Sequence, residues 1–255
     1  SAAWSGPPLR TGVISDTHVA APHTDVERVR RLVARMNAEH PDVVVLLGDY
    51  AGGHEPAATR AQPEQSKILQ GVEAFAGLRS SLGTHGVLGN HDSWFDDAAI
   101  AAALRRADVT VLDNTAHPVA RPGGAFWIGG LADMHSPREP PLVNATLRQV
   151  SDTSPVILLT HWPDPFVEVP GRVALTLAGH TRCGQVNLPV FGRLVHASRM
   201  SERWPCGLYD EGGRKLFVTG GVGVSILPVR FRAPPEIVVI TLRAPALDPR
   251  ARRPR

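Results

Sequence analysis

Five short apolar runs of this chain each stop on polar residues, and that repeated stop constrains the fold more than any other feature. "LRTGVIS" (Leu9–Ser15) runs into Asp16 and His18, and "DVVVLL" (Asp42–Leu47) runs into Gly48 and Asp49. "HGVL" (His85–Leu88) is followed by Gly89, Asn90, His91 and Asp92. Later, "VILLTH" ends on His161 and "VALTLAGH" on His180. Short apolar runs rich in β-branched residues, bounded by turn residues, read as buried strands. Helical patterns lie between the early runs. Val26, Val29, Leu32, Val33 and Met36 recur at helical spacing within Asp25–Ala38. Further helices are expected over Glu64–Leu78 and Asp97–Ala107, before a strand at Val109–Leu112. The second half holds more strand-like runs, "FWIGGL", "QVNLPV", "KLFVTGG" and "EIVVITL", with one helix over Leu142–Val150. Alternating βα units followed by a strand-rich half predict an α/β sandwich of two sheets with helices outside.

The placement of the ionisable residues turns this fold into chemistry. In open α/β sheets, loops converge on the carboxyl ends of the strands to form a site. An Asp after a strand is by itself most simply a cap or a turn residue. Here five strand ends carry ligand-type residues in order, with glycines that let the backbone come close. Such a nitrogen and oxygen donor set suits Mn, Fe or Zn more than a thiolate-preferring metal. His23, His40, His54, His85, His117, His135 and His196 fall outside the set and are read as surface or core residues.

Composition narrows the function classes. The 255 residues are 43% hydrophobic, enough for one substantial core, so we expect one domain over 1–243 and a disordered tail over 244–255. The tail, "APALDPRARRPR", holds four arginines and one aspartate, which accounts for the whole formal charge of +3. Charge therefore gives no indication of a nucleic-acid surface. No apolar run approaches the ~18 residues of a membrane span, and no secretory signal pattern opens the chain. The opening "SAAWSGPP" reads as a linker. These features predict a soluble chain, cytoplasmic by default, or exported or peripheral if a leading segment has been removed. Cys183 and Cys206 are either two reduced thiols or one bridge.

Five motifs in order, "SDTH" (Ser15–His18), "LLGDY" (Leu46–Tyr50), "LGNHD" (Leu88–Asp92), "LTHWPD" (Leu159–Asp164) and "AGHTRCGQV", resemble the calcineurin-like metallophosphoesterase family. The resemblance runs from about Leu9 to Leu242. It is nearest a bacterial subgroup with GHT-x-x-GQ and a late glycine-rich segment, here "GGVGVSILPVR" (Gly220–Arg230). It implies a four-layer sandwich of two mixed β-sheets flanked by helices, and one or two divalent metal ions per chain. By resemblance, Asp16 and His18 bind the first metal, Asp49 bridges both, and Asn90, His161 and His180 complete the second. His91 would protonate the leaving oxygen, with Asp92 either orienting it or serving as a local turn-stabilising carboxylate. The implied reaction is hydrolysis of a small phosphate ester, a phosphodiester before a phosphomonoester, by a metal-activated water.

One position departs from the family. Arg182 stands where the resemblance implies a histidine ligand of the first metal, and a guanidinium has no free lone pair. Three outcomes stay open. Arg182 turns outward and a weaker first metal binds, or the guanidinium occupies the first position and holds phosphate. In the third, activity is lost and the fold is a non-catalytic binding protein. For substrate contacts, Arg199, Arg203, Arg230 and Arg232 could meet an anionic group but read first as surface ion-pair partners. Trp94 and Trp204 read first as core packing. The pocket rim is expected from Ala51–Pro63, Ala132–Pro141 and Arg199–Trp204.

Overall fold

Alternation within single strands sorts the apolar residues into separate layers. The structure, a computed structural model, describes residues 4–20, 22–188, 192–193, 198, 200–225 and 228–245. Strand β1 (Leu9–Ile14) leads through helix α1 (Val26–Ala38) to β2 (Val43–Leu46). Helix α2 (Gln62–Glu73), β3 (Thr84–Gly86), α3 (Asn90–Phe95), α4 (Asp97–Arg106) and β4 (Val109–Val111) follow. The second half contains β5 (Thr115–Val119), β6 (Phe126–Gly130), α5 (Val143–Arg148), β7 (Val156–Leu159) and β8 (Val173–Ala178). It closes with β9 (Asn187–Leu188), β10 (Gly192–Arg193), β11 (Gly207–Glu211), β12 (Arg214–Val218) and β13 (Val238–Leu242).

Two mixed sheets result. The first has the order β13-β1-β2-β3-β4, parallel except where β13 runs antiparallel to β1. The second has the order β11-β12-β8-β7-β6-β5, with parallel central strands and antiparallel pairs at both edges. In β2, Val44 and Leu46 face the helices, where Val29, Val33 and Met36 of α1, Ile68 and Val72 of α2, and Ile100 and Leu104 of α4 cover them. Val43, Val45 and the following Leu47 face the other way, onto Ile128, Ile157, Leu159, Leu175 and Leu177 of the second sheet. The far face of that sheet, Val156, Leu158, Leu216 and Val218, packs on Val143, Leu147, Phe166 and Trp204. Three apolar layers therefore separate four layers of structure, as the motifs implied.

Local chemistry explains the element ends. Asp25 caps α1 by accepting from the Arg28 N–H, and Val29, Val33 and Met36 form its buried stripe. From Trp4 onward the opening segment is packed against the fold. Trp4 is 4% exposed and packs edge-on against Phe126 at 5.4 Å. Burying a large apolar side chain contributes about 1.5–3 kcal/mol, enough to hold a short terminal segment in place. Pro118 sits in β5, at the edge of the second sheet, where a missing N–H is tolerated. Residues 246–255 of the expected disordered tail, together with His196 and Arg199, lie outside the described residues.

The site follows from the parallel arrangement. β1, β2 and β3 of the first sheet and β7 and β8 of the second release their chains at one common edge. The loops after β1 and β2 are zipped together by His18 N–H to Asp49 O and Asp16 N–H to Gly48 O, each 3.0 Å.

Candidate metal centre

Asp16, His18, Asp49, Asn90, His91, Asp92, His161, His180 and Arg182 come together at this edge, and all are buried. Five of them have left-handed backbone, with φ of 53° at Asp16, 46° at His18, 55° at Asp49, 65° at His180 and 50° at Arg182. For L-residues this region costs about 1–2 kcal/mol each, and such strain persists where the surroundings enforce it. Two glycines supply the close approach. A Cβ on Gly89 would stand 2.3 Å from Asp49 Oδ1, and one on Gly221, itself at φ +64°, 2.7 Å from Asp16 Cβ. The late glycine-rich segment is thus the floor beneath Asp16, tied by Val222 N–H to Ser15 O and Gly223 N–H to Asp16 O.

One half of the centre is a convergent donor set. His161 Nε2 lies 3.3 Å from Asp49 Oδ1 and 3.1 Å from His180 Nδ1. Donors each about 2.0–2.2 Å from one shared ion stand roughly 3 Å apart, so these separations fit a common metal. His161 Nδ1 is 2.6 Å from Leu47 O, which places its proton there and leaves Nε2 for the ion. Asn90 Oδ1 is buried with no hydrogen-bond partner, as expected of a donor atom reserved for a cation. The stacked indole of Trp162, 3.5 Å from the His180 ring, fixes that imidazole's plane. The field agrees. Burial opposes charge on His161, yet the charge and hydrogen bond of Asp49, with the Asp16 and Asp133 carboxylates, together outweigh it and raise the imidazole to about 10, so the position favours positive charge. Asp49 is held well below the usual carboxylate range, where its histidine neighbours outweigh the opposing effect of burial.

The other half is filled by protein. Arg182 Nη1 is 2.8 Å from His18 Nε2, 3.5 Å from Asp16 Oδ1 and 3.6 Å from Asp49 Oδ2. The side chain does not turn outward. A second ion on Asp16, His18 and Asp49 does not fit while the guanidinium stands among them.

Asp92 does not orient His91. Its carboxylate accepts four backbone N–H groups, from Gly89, Asp49, Tyr50 and Ala51, at 2.8–2.9 Å. Burial and the Asp49 charge raise its pKa to about 8, and the N–H donors work against that rise. Asp92 is therefore the latch that sets the Asp49 loop, while the His91 N–H returns a 2.9 Å bond to Asp49 Oδ1. His91 is oriented instead by Gly53 O, 2.7 Å from Nδ1, which leaves Nε2 4.0 Å from Asp49 Oδ2. Burial lowers the His91 pKa to about 4, so the ring is neutral near pH 7.

Further side chains complete the surroundings of His91. Ser225 Oγ lies 3.4 Å from His91 Nε2. Trp94, 38% exposed and so not core, stands 4.8 Å from the His91 ring, with His54 and His135 on either side. Two expected rim segments, Ala51–Pro63 and Ala132–Pro141, do reach the centre through Gly53, His54 and His135. Trp204 is core, 1% exposed, and Arg203 pairs with Glu211. Arg230 donates to the carbonyls of Gly220, Gly223 and Ala233 and so braces the floor. Cys183 and Cys206 are bridged, so Cys183 is not a thiolate ligand.

Two mixed sheets that present a carboxylate, two imidazoles and an amide oxygen at one edge define a metallophosphoesterase. The sequence agrees: residues 9–183 match the calcineurin-like phosphoesterase family, and the chain belongs to it. It is 30% identical over 234 residues to the uncharacterized metallophosphoesterase YkuE of Bacillus subtilis strain 168, spanning 90% of this chain and 77% of YkuE. It is 28% identical over 214 residues to the phosphodiesterase YaeI of Escherichia coli K12, spanning 80% and 71% of the two chains. The fold is shared with the 5'-nucleotidase precursor from Thermus thermophilus, at TM-score 0.54 and 14% identity. That match covers 93% of this chain and 54% of the nucleotidase. Among the described residues no helix is long and apolar enough to cross a membrane.

Proposed function

We propose that this chain hydrolyses phosphodiesters, with a divalent transition metal, Mn, Fe or Zn, held by Asp49, Asn90, His161 and His180. The observation that carries this reading is the second donor set: nitrogen and carboxylate atoms 3.1 and 3.3 Å apart, beside an amide oxygen with no other partner. A bound ion would polarise a phosphate oxygen and make a water acidic enough to attack near neutral pH. The likeness to a relative called a phosphodiesterase supports the diester over the monoester.

In the reaction, a water oxygen forms a bond to phosphorus as the bond to the leaving alkoxide breaks. One water proton ends on the leaving oxygen and the other stays with the phosphomonoester product. His91 serves the leaving side. Its Nδ1 proton is committed to Gly53, and Nε2 faces the site. An anionic phosphate beside Nε2 favours the imidazolium, which can then give its proton to the departing oxygen.

The test is release of aryl alcohol from bis(p-nitrophenyl) phosphate, with p-nitrophenyl phosphate as the monoester, in added Mn²⁺. We expect turnover of the diester and a fall of about 10³-fold or more in Asp49→Asn, which removes the shared carboxylate. A metal-loaded chain that turns over neither ester would leave the non-catalytic binding role in its place.

A further inference from the structure

The first position is three acceptor atoms around one nitrogen. His18 Nε2, Asp16 Oδ1 and Asp49 Oδ2 surround Arg182 Nη1 at 2.8, 3.5 and 3.6 Å. An ion serving the same atoms would need each at about 2.0–2.2 Å, and a nitrogen and an ion cannot share that volume. The lone pair on His18 Nε2 that would bind metal instead faces an N–H donor. A guanidinium offers five N–H donors and no free lone pair, so it cannot serve as a ligand.

The arginine is also fixed where it stands. Its side chain is 7% exposed. Four successive residues, Arg182 to Gln185, have φ between 50° and 77°. This unusual turn is pinned on three sides. Cys183 is bridged to Cys206, Asn187 Nδ2 donates to Cys183 O at 3.1 Å, and Gln185 exchanges hydrogen bonds with Ser225 at 2.9 and 3.0 Å. Swinging Arg182 out would leave Asp16 and the near oxygen of Asp49 buried without that counter-charge.

We infer that the Arg182 guanidinium is the resident cation of the first position, so that the chain takes one divalent ion rather than two. The ion occupies the Asp49, Asn90, His161 and His180 set, and Arg182 supplies the second positive centre. Substrate charge follows, given the phosphoesterase reading above. A guanidinium carries one positive charge fewer than a divalent ion. The pocket therefore suits a monoanionic phosphodiester better than a dianionic phosphomonoester. Arg182 has N–H donors beyond the one given to His18, in the planar arrangement that recognises phosphate oxygens.

The test counts metal independently of turnover. The chelator-stripped chain is reloaded with Mn²⁺, and bound ion is measured by elemental analysis and by electron paramagnetic resonance. We expect one ion and an isolated Mn²⁺ spectrum in the wild-type chain. Arg182→His should bind two, with the spectrum of an exchange-coupled pair. Its preference for diester over monoester, as a ratio of kcat/KM values, should fall about tenfold or more. Two ions in the wild-type chain would overturn this inference, as would one ion in a folded Arg182→His. No ion in either form would remove the metal-dependent reading itself. The wild-type count stands as a test even if the variant fails to fold.

Discussion

The two halves of the centre share Asp49 and little else. Around the second position, the donors are held from behind, His161 by Leu47 O and His180 by the Trp162 face, and their ring nitrogens converge on Asp49. Around the first, Asp16 and His18 are as deeply buried, but their acceptor atoms close on Arg182. One residue thus separates a set of donors that converges on a shared point from one that closes on a guanidinium. A buried carboxylate needs a counter-charge, and beside Asp16 and Asp49 the chain's own Arg182 supplies it.

The largest effect that would break this contrast comes from the histidines. His161→Ala should empty the second position and lower kcat on the diester by about 10³-fold, while His18→Ala should leave one ion bound. Metal analysis of the two purified variants decides the matter, since equal loss in both would mean that the halves are not distinct. A smaller effect is expected from the bridge behind Arg182. Cys206→Ser opens a 23-residue separation and should lower stability by about 3 kcal/mol, read as a lower denaturation midpoint with the ion count still at one. A count of two would show that the bridge, and not the His18 contact, keeps the guanidinium in place. The smallest concerns the shared residue's support. Asp92→Asn offers one oxygen to four N–H donors and should cost about 1–3 kcal/mol. Because it acts through Asp49, it should weaken Mn²⁺ binding while leaving stoichiometry unchanged, which a calorimetric titration would resolve.

Much of the fold was legible because its strands are apolar runs ended by turn residues. β1, β2, β7 and β8 fall where such runs predict, and α1 follows its stripe. Three of the elements that no run predicted were hidden for separate reasons. α3 is built from the polar motif residues themselves, Asn90–Phe95, so it shows no apolar period. β5 contains a proline, and β11 lies half-exposed at a sheet edge. At the site, the candidate residues at the strand ends could be read from the sequence, and the structure places them side by side. For Asp92 the sequence left two roles open, and the fold decides, because four N–H groups from two loops converge on its carboxylate. The ring array of His54, Trp94 and His135 is likewise drawn from two loops and helix α3. The direction taken by Arg182 depended on a backbone turn that no spacing rule encodes.

The left-handed residues at the strand ends have a consequence for the order of assembly. Asp16, His18, Asp49 and His180 adopt that backbone because sheet ends, glycine floor and the Asp92 latch leave them no other path. The backbone at the donors is therefore braced by close packing and hydrogen bonds within the chain itself. The ion's contribution to stability is only that of any tight ligand, growing with the logarithm of its free concentration. Chelation should silence the chain without melting it, and metal supply would then act as a reversible dial on function rather than a requirement for folding.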